Sequence, residues 1–183
     1  VGYITIKGAN IVFARADDCD FRKTTFASVK KALHKFGIAE HCDIPKRVGD
    51  IVFRPNGNII RFIATGGDEH RTKGLDFEQG YVHRFIHDEA QELSEDFEVK
   101  GAEKTLLRLM GPTTKWLYIY NPPPSRGEFA NVYFPAQVRA GRAIEIYSSW
   151  EDIYDLLDKE VVDEILKDKA QDLNYYLYEY MGE

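Results

Sequence analysis

Short apolar segments that alternate with helical patterns are the feature that most constrains the fold of this chain. The apolar segments lie at residues 11–13, 51–53, 59–63, 82–86 and 115–120, and each is bounded by polar or turn-forming residues. Strands that alternate with helices are typical of a mostly parallel sheet flanked by helices. The length of 183 residues suits one domain with a substantial core. The sequence therefore predicts a single α/β domain over residues 1–183.

The first half of the chain contains a predicted helix and a predicted β-hairpin. The helix is expected to start near Asp20 and to stop at Gly37. One face of this helix carries apolar residues at helical spacing, namely Phe26, Val29, Leu33 and Phe36. Further along, a Pro-Asn-Gly turn at residues 55–57 separates two apolar runs, which predicts a hairpin.

The second half is predicted to continue the alternation. Ser94 can cap a helix that runs to Met110 and ends at Gly111-Pro112. We expect a helix from about Gly127, a strand over residues 144–147 and one or two C-terminal helices. The last stretch has a stripe at helical spacing, formed by Val162, Ile165, Leu166, Lys169, Leu173 and Tyr176.

Composition excludes several classes of protein. The formal net charge of −6 argues against a dominant basic face for static nucleic-acid binding, although a few loops could still contact DNA. No apolar run approaches the length of a membrane span, and no signal-peptide pattern opens the chain. The two cysteines and five histidines show no zinc-finger spacing.

Two adjacent acids follow the apolar strand in "YVHRFIHDEAQELS", residues 81–94. In open α/β sheets, ligands bind beyond the carboxyl ends of the strands. An acid at such a position can hold Mg²⁺ through water, and a neighbouring carboxylate can orient an attacking water. Asp88 and Glu89 have the residue types for these roles, and Asn121 follows the next strand along the chain. The alternative is a solvated strand end whose acids only precede a helix.

The order of segments resembles the ATPase domain of the large subunit of tailed-phage terminases, which package DNA. The resemblance rests on "NIVFARADDCDFRKTTFASVKKALHKFG", "GNIIRFIATGGDEHRTKGLDFEQGYVHRFIHDEAQELSEDF", "LLRLMGP", "YIYNPPP" and "YSSWEDI" with "YYLYEYMGE". Within these segments lie a strand ending in arginine, a lysine-glycine step, a Walker B strand ending in Asp-Glu, and an asparagine-proline pair. The resemblance spans nearly the whole chain.

This resemblance implies roles for five residues. Asp88 would help to hold Mg²⁺, and Glu89 would be the catalytic carboxylate. Asn121 would couple the state of the γ-phosphate to domain movement, and Arg71 and Lys73 would be weaker candidates for phosphate or DNA contact. The implied cofactors are ATP and Mg²⁺. The implied partners are double-stranded DNA, the terminase small subunit, the portal protein and further copies of the chain, in the host cytoplasm at the procapsid portal.

The sequence departs from the family pattern in two places. Ile119 and Tyr120 precede Asn121, where the family usually has a small hydroxyl residue. No segment matches G-x-x-x-x-G-K-[ST], the loop that holds nucleotide phosphates. We therefore expect an incomplete P-loop NTPase fold of the ASCE type, from a longer protein that also has the phosphate loop and a C-terminal nuclease domain. Alone, the chain is expected to bind ATP weakly, to turn it over slowly and to self-associate.

Two other functions remain open on the sequence alone. Another P-loop ATPase of helicase type would share the acidic strand end, although the "YNPPP" break after a strand favours a terminase. A non-catalytic α/β interaction module would use Asp88 and Glu89 only as surface acids. A Glu89→Gln substitution in the full-length protein distinguishes the enzymes from the module.

Overall fold

The computed structural model describes residues 2–16, 24–65, 76–93 and 107–181. The chain divides into two compact units, residues 1–120 and residues 121–183. Several sequence predictions lie outside the described residues, namely the helix start at Asp20, the helix cap at Ser94, and the candidate ligands Arg71 and Lys73. The single-domain organisation stays a prediction.

The first unit is built on a six-stranded sheet with the order β2-β3-β4-β1-β5-β6. The strands are β1 (Ala9–Arg15), β2 (Cys42–Asp43), β3 (Ile51–Phe53), β4 (Asn58–Ala64), β5 (Tyr81–His87) and β6 (Met110–Tyr118). Strand β1 pairs in parallel with β4 and β5, and β5 pairs in parallel with β6. Strands β2, β3 and β4 are antiparallel neighbours. The predicted α/β fold with a mostly parallel sheet is confirmed.

Strand β1 lies at the centre of this unit because both of its faces are apolar. Ile11 packs in a core cluster with Phe26 and Leu33 of helix α1 (Thr25–Lys35). Val12 and Ala14 point to the other side and pack in a second cluster with Phe85 of β5. Strands that pair in parallel on both sides are usually buried on both faces. The polar residues that follow β1 and β5 therefore come from the best-buried part of the sheet.

The predicted hairpin is confirmed, and the predicted apolar face of α1 is confirmed in part. Strands β3 and β4 pair antiparallel around the turn, in which Gly57 has a φ of 73° that favours glycine. Helix α1 ends at Lys35, and Phe36 is 62% exposed rather than buried. The chain turns away at Gly37, which has a φ of 68°. Phe36 therefore leaves the helical face that Phe26 and Leu33 share.

The prediction that a helix runs to Met110 and stops at Gly111-Pro112 is wrong, because β6 already begins at Met110. A short 3-10 helix, Leu107–Leu109, precedes it. The register with β5 shifts between Val82 and Arg84, and this irregularity accommodates Pro112. The Thr114 hydroxyl accepts from the Gly111 amide and donates to the Val82 carbonyl. The Thr114 hydroxyl thus links β6 to β5 at the segment whose Gly-Pro sequence resembles a helix stop.

The second unit is helical in its described residues. It contains α2 (Phe129–Arg139), a 3-10 helix over Trp150–Leu156, α3 (Lys159–Gln171) and α4 (Leu173–Met181). The predicted strand at residues 144–147 is wrong: these residues form no strand, and Ile144 and Ile146 are 87% and 85% exposed. Within the C-terminal stripe, Val162, Ile165 and Tyr176 are buried, whereas Leu166 and Leu173 are about half exposed. No helix in the described part of the chain is long and apolar enough to cross a membrane.

Candidate functional site at the strand ends

Polar side chains gather where the neighbouring parallel strands β4, β1 and β5 end. Arg15 is the last residue of β1, Thr65 follows β4, and His87 is the last residue of β5. Because the three strands are parallel and adjacent, their carboxyl ends meet at the same side of the sheet. We define the strand-end cluster as Arg15, Thr25, Thr65, His87, Asp88, Glu89 and Glu92.

Asp88 is held by both its backbone and its side chain. Its amide donates to the Ala14 carbonyl at 2.9 Å, which extends the pairing of β5 with β1 by one residue. Its carboxylate oxygen Oδ2 accepts from the Thr25 hydroxyl at 2.5 Å. Thr25 is the first residue of α1 and is 5% exposed. The half-buried Asp88 carboxylate is therefore fixed relative to both β1 and α1.

Glu89 has an unusual backbone conformation. Its φ of 54° and ψ of 48° lie in the left-handed region, and among the described residues it is the one non-glycine residue with positive φ. Such a conformation costs about 1–3 kcal/mol in a residue with a Cβ atom and is concentrated at functional sites. The Gln91 amide donates to Glu89 Oε2, and the next backbone amide, of Ala90, donates to the Ile119 carbonyl at 2.8 Å. These two hydrogen bonds hold the turn that follows Asp88, and with it the side chain of Glu89.

Arg15 supplies a buried positive charge to the cluster. It is 6% exposed, and its Nη2 lies 2.5 Å from Glu92 Oε1, while its Nη1 donates to the Thr24 hydroxyl at 2.9 Å. Burial alone would lower the pKa of Arg15, but the hydrogen bond and charge of Glu92, with the charges of Glu89 and Asp88, outweigh burial and raise it. The guanidinium therefore stays charged and offsets part of the negative charge of three carboxylates.

His87 is the most deeply buried residue of the strand-end cluster. It is 1% exposed, its Nε2 lies 2.9 Å from the Thr65 hydroxyl, and its ring stacks on Tyr118 with centroids 6.0 Å apart. Burial lowers the pKa of His87 from 6.5 to about 4. The ring is therefore neutral at pH 7 and adds no positive charge to the cluster.

The cluster fits a hydrated magnesium ion with a nucleotide better than a metal caged by protein ligands. Among the described residues, no group of three or more His, Cys, Asp or Glu side chains could hold a metal ion. Magnesium usually keeps several waters and takes one or two carboxylates together with substrate phosphates. Asp88 and Glu89 supply two half-buried carboxylates in a fixed setting. This donor set matches Mg²⁺ held partly by water and phosphate.

The residues predicted from the sequence fall in different parts of the chain. Asp88 and Glu89 lie together at the strand end, whereas Asn121 is exposed and begins the second unit, three residues after β6 ends. Arg71 and Lys73 lie outside the described residues. Arg15 and Thr25 were missed as individual residues. The available signal for Arg15 was a charged residue that ends an otherwise apolar strand.

Comparison with solved structures shows the same fold in phage terminases. The large terminase of a thermophilic bacteriophage, in complex with ADP, is 15% identical, with a TM-score of 0.70 over 99% of this chain and 42% of that chain. The corresponding values for the complex of that terminase with ATP-γ-S are 15%, 0.68, 100% and 41%. For the HK97 bacteriophage large terminase they are 11%, 0.59, 81% and 30%. The chain thus spans about two fifths of the thermophilic-phage terminase.

Sequence comparison identifies the family. No curated protein has a significantly similar sequence. The sequence profile of the phage terminase large subunit matches residues 3–183, nearly the whole chain. The profile therefore favours a terminase over the helicase-type alternative. The chain belongs to the phage terminase large subunit family.

Proposed function

We propose that this chain is part of the ATPase domain of a phage terminase large subunit, and that Asp88 and Glu89 form the acidic half of its ATP site. The observation that carries the proposal is the pair of carboxylates at the end of the parallel strand β5, beside the buried Arg15 of β1. The thermophilic-phage terminase structures with the same fold contain ADP and ATP-γ-S. A longer protein would add the phosphate-binding loop and a nuclease domain.

In this proposal, the residues of the cluster divide the chemistry. Asp88 would hold a hydrated Mg²⁺, which would offset charge on the phosphates, and Glu89 would orient the attacking water and accept its proton. Arg15 offsets part of the repulsion among the three neighbouring carboxylates. Asn121 couples the state of the γ-phosphate to domain movement, and Arg71 and Lys73 contact phosphate or DNA. With no phosphate-loop motif in its sequence, the isolated chain binds ATP weakly.

The whole motor would use ATP hydrolysis to drive double-stranded DNA into a procapsid. Its partners are DNA, the terminase small subunit, the portal protein and further copies of itself, in the host cytoplasm at the procapsid portal. The net charge of −6 fits DNA contact through a few loops rather than through a broad basic face.

The test is Glu89→Gln in the full-length protein. This change keeps the size of the side chain but removes the base, so the rate of phosphate release from ATP should fall about 10²- to 10⁴-fold. Affinity for ADP should change little. The matched control is Glu160→Gln at an exposed site on α3, which should leave the rate unchanged. A Glu89→Gln protein that hydrolyses ATP at the rate of the unchanged protein would show that Glu89 is not the base. An unchanged full-length protein that does not hydrolyse ATP would support the non-catalytic module.

A further inference from the structure

We propose that Thr25 is a positioning residue for Asp88, and that its hydroxyl sets the direction in which the carboxylate faces the hydrated magnesium ion. The inference rests on the proposed ATP site and assigns a role to a residue that approaches this site from another element. Thr25 opens α1, and Asp88 lies 63 positions further along the chain.

The Thr25 hydroxyl binds the carboxylate and does not cap its own helix. Thr24 is the N-cap residue of α1, and no side-chain hydrogen bond caps this helix. A threonine hydroxyl has a single proton, and here Oγ1 donates it to Asp88 Oδ2 at 2.5 Å. Because Thr25 is 5% exposed and β-branched, its side chain has little freedom to point elsewhere. The contact is therefore a fixed one.

The backbone of Asp88 is fixed independently of this hydroxyl. Its amide donates to the Ala14 carbonyl at 2.9 Å, so the Cα position follows from the pairing of β5 with β1. What the backbone leaves undetermined is the rotation of the carboxylate about its side-chain bonds. The hydrogen bond from Thr25 removes that freedom. Loss of the hydroxyl should thus change the orientation of the carboxylate and leave the strand in place.

A carboxylate that holds a metal ion depends on such partners. Hydrogen bonds to a ligand fix its orientation, and their removal typically weakens metal affinity about 10- to 100-fold. Thr25 is the first residue of α1, and its hydroxyl contacts Oδ2 of Asp88 directly. We therefore expect Thr25 to influence metal affinity more strongly than it influences the stability of the fold.

The experiment measures Mn²⁺ binding in the presence of ADP by electron paramagnetic resonance, using the full-length protein. Thr25→Val should weaken Mn²⁺ binding about tenfold. Thr25→Ser keeps the hydroxyl and should bind within about threefold of the unchanged protein. The matched control is Thr5→Val, which removes an exposed hydroxyl that donates to the Gly2 carbonyl before β1 begins. This control should bind Mn²⁺ like the unchanged protein.

The outcomes separate this inference from the proposed function. If the unchanged protein binds no Mn²⁺ with ADP, the proposed ATP site itself is wrong. If it binds Mn²⁺ and the Thr25→Val protein binds equally well, Thr25 has only a structural role and the inference is overturned. Equal weakening by the serine and valine variants would also overturn it, because the hydroxyl would then not be the cause. Should the valine variant fail to fold, Thr25→Ala gives the same comparison without added bulk.

Discussion

The two units of the chain differ in how they bury apolar surface. In residues 1–120, sheet residues such as Ile51, Val82 and Phe85 are at most 1% exposed. In residues 121–183, Ile144, Ile146 and Leu156 are more than 80% exposed. The first unit encloses its own core, and the candidate site rests on strands of that core. The difference teaches that the described contacts that hold the acids come from the first unit, namely from Ala14, Thr25 and Ile119, whereas several large apolar side chains of the second unit are exposed.

The largest expected effect comes from opening the core of the first unit. Phe85 is fully buried, and its ring centroid lies 4.5 Å from that of Trp116. Phe85→Ala should lower the free energy of unfolding by about 3–5 kcal/mol, because it removes buried apolar surface and leaves a cavity. The control in the second unit is Ile146→Ala, which should change the free energy by less than about 0.5 kcal/mol. Urea unfolding measures both, and similar losses in the two variants would contradict the contrast between the units.

The next effect concerns pH. Because burial lowers the pKa of His87 from 6.5 to about 4, the unfolded chain binds a proton at His87 more readily than the folded chain does. Neutral His87 therefore contributes to the free energy of unfolding. This contribution is fully present above pH 6.5 and is lost as the pH falls towards 4, by about 3 kcal/mol in total. Urea unfolding between these pH values should show that loss, and His87→Leu should reduce it. An unchanged pH dependence in His87→Leu would assign the loss to other groups.

A smaller effect should separate a buried ion pair from an exposed one. Arg15→Met leaves Glu92 without its partner, and because the Glu92 side chain is 36% exposed, we expect a loss of about 1–3 kcal/mol. Arg54→Met breaks the ion pair of Arg54 with Asp43, in which the two side chains are 50% and 66% exposed. This change should lower the free energy of unfolding by less than about 1 kcal/mol. Thermal unfolding compares the two variants. Equal losses would mean that burial of Arg15 adds nothing to its pair.

Local patterns predicted the elements whose pairing is local, and failed where distant contacts decide. The hairpin of β3 and β4 and the strand β5 followed from turn residues and apolar runs. The start of β6 did not, because the contact of Thr114 with Val82 spans 32 residues and the helix-stop pattern at Gly111-Pro112 was misleading. Residues 144–147 have a strand pattern, but a strand also needs a hydrogen-bonded neighbour, which a single segment cannot reveal.

For the candidate site too, local patterns pointed to the residues that are adjacent in sequence and missed those that reach it from distant segments. Asp88 and Glu89 are adjacent in sequence, and their position after an apolar strand pointed to them. Arg15 and Thr25 reach the site from 77 and 63 residues away from their partners Glu92 and Asp88, so no local pattern could connect them. The same holds for Thr65, whose contact with His87 depends on the parallel neighbours of β1.

The left-handed backbone of Glu89 sets two kinds of selection against each other. Glycine adopts that conformation without penalty, and asparagine tolerates it better than glutamate does. A library randomised at position 89 and sorted only for heat resistance should therefore accumulate glycine and asparagine. The same library sorted for ATP turnover should return glutamate. Glutamate at position 89 would then make the fold less stable than glycine would, and selection for ATP turnover would retain it despite that loss.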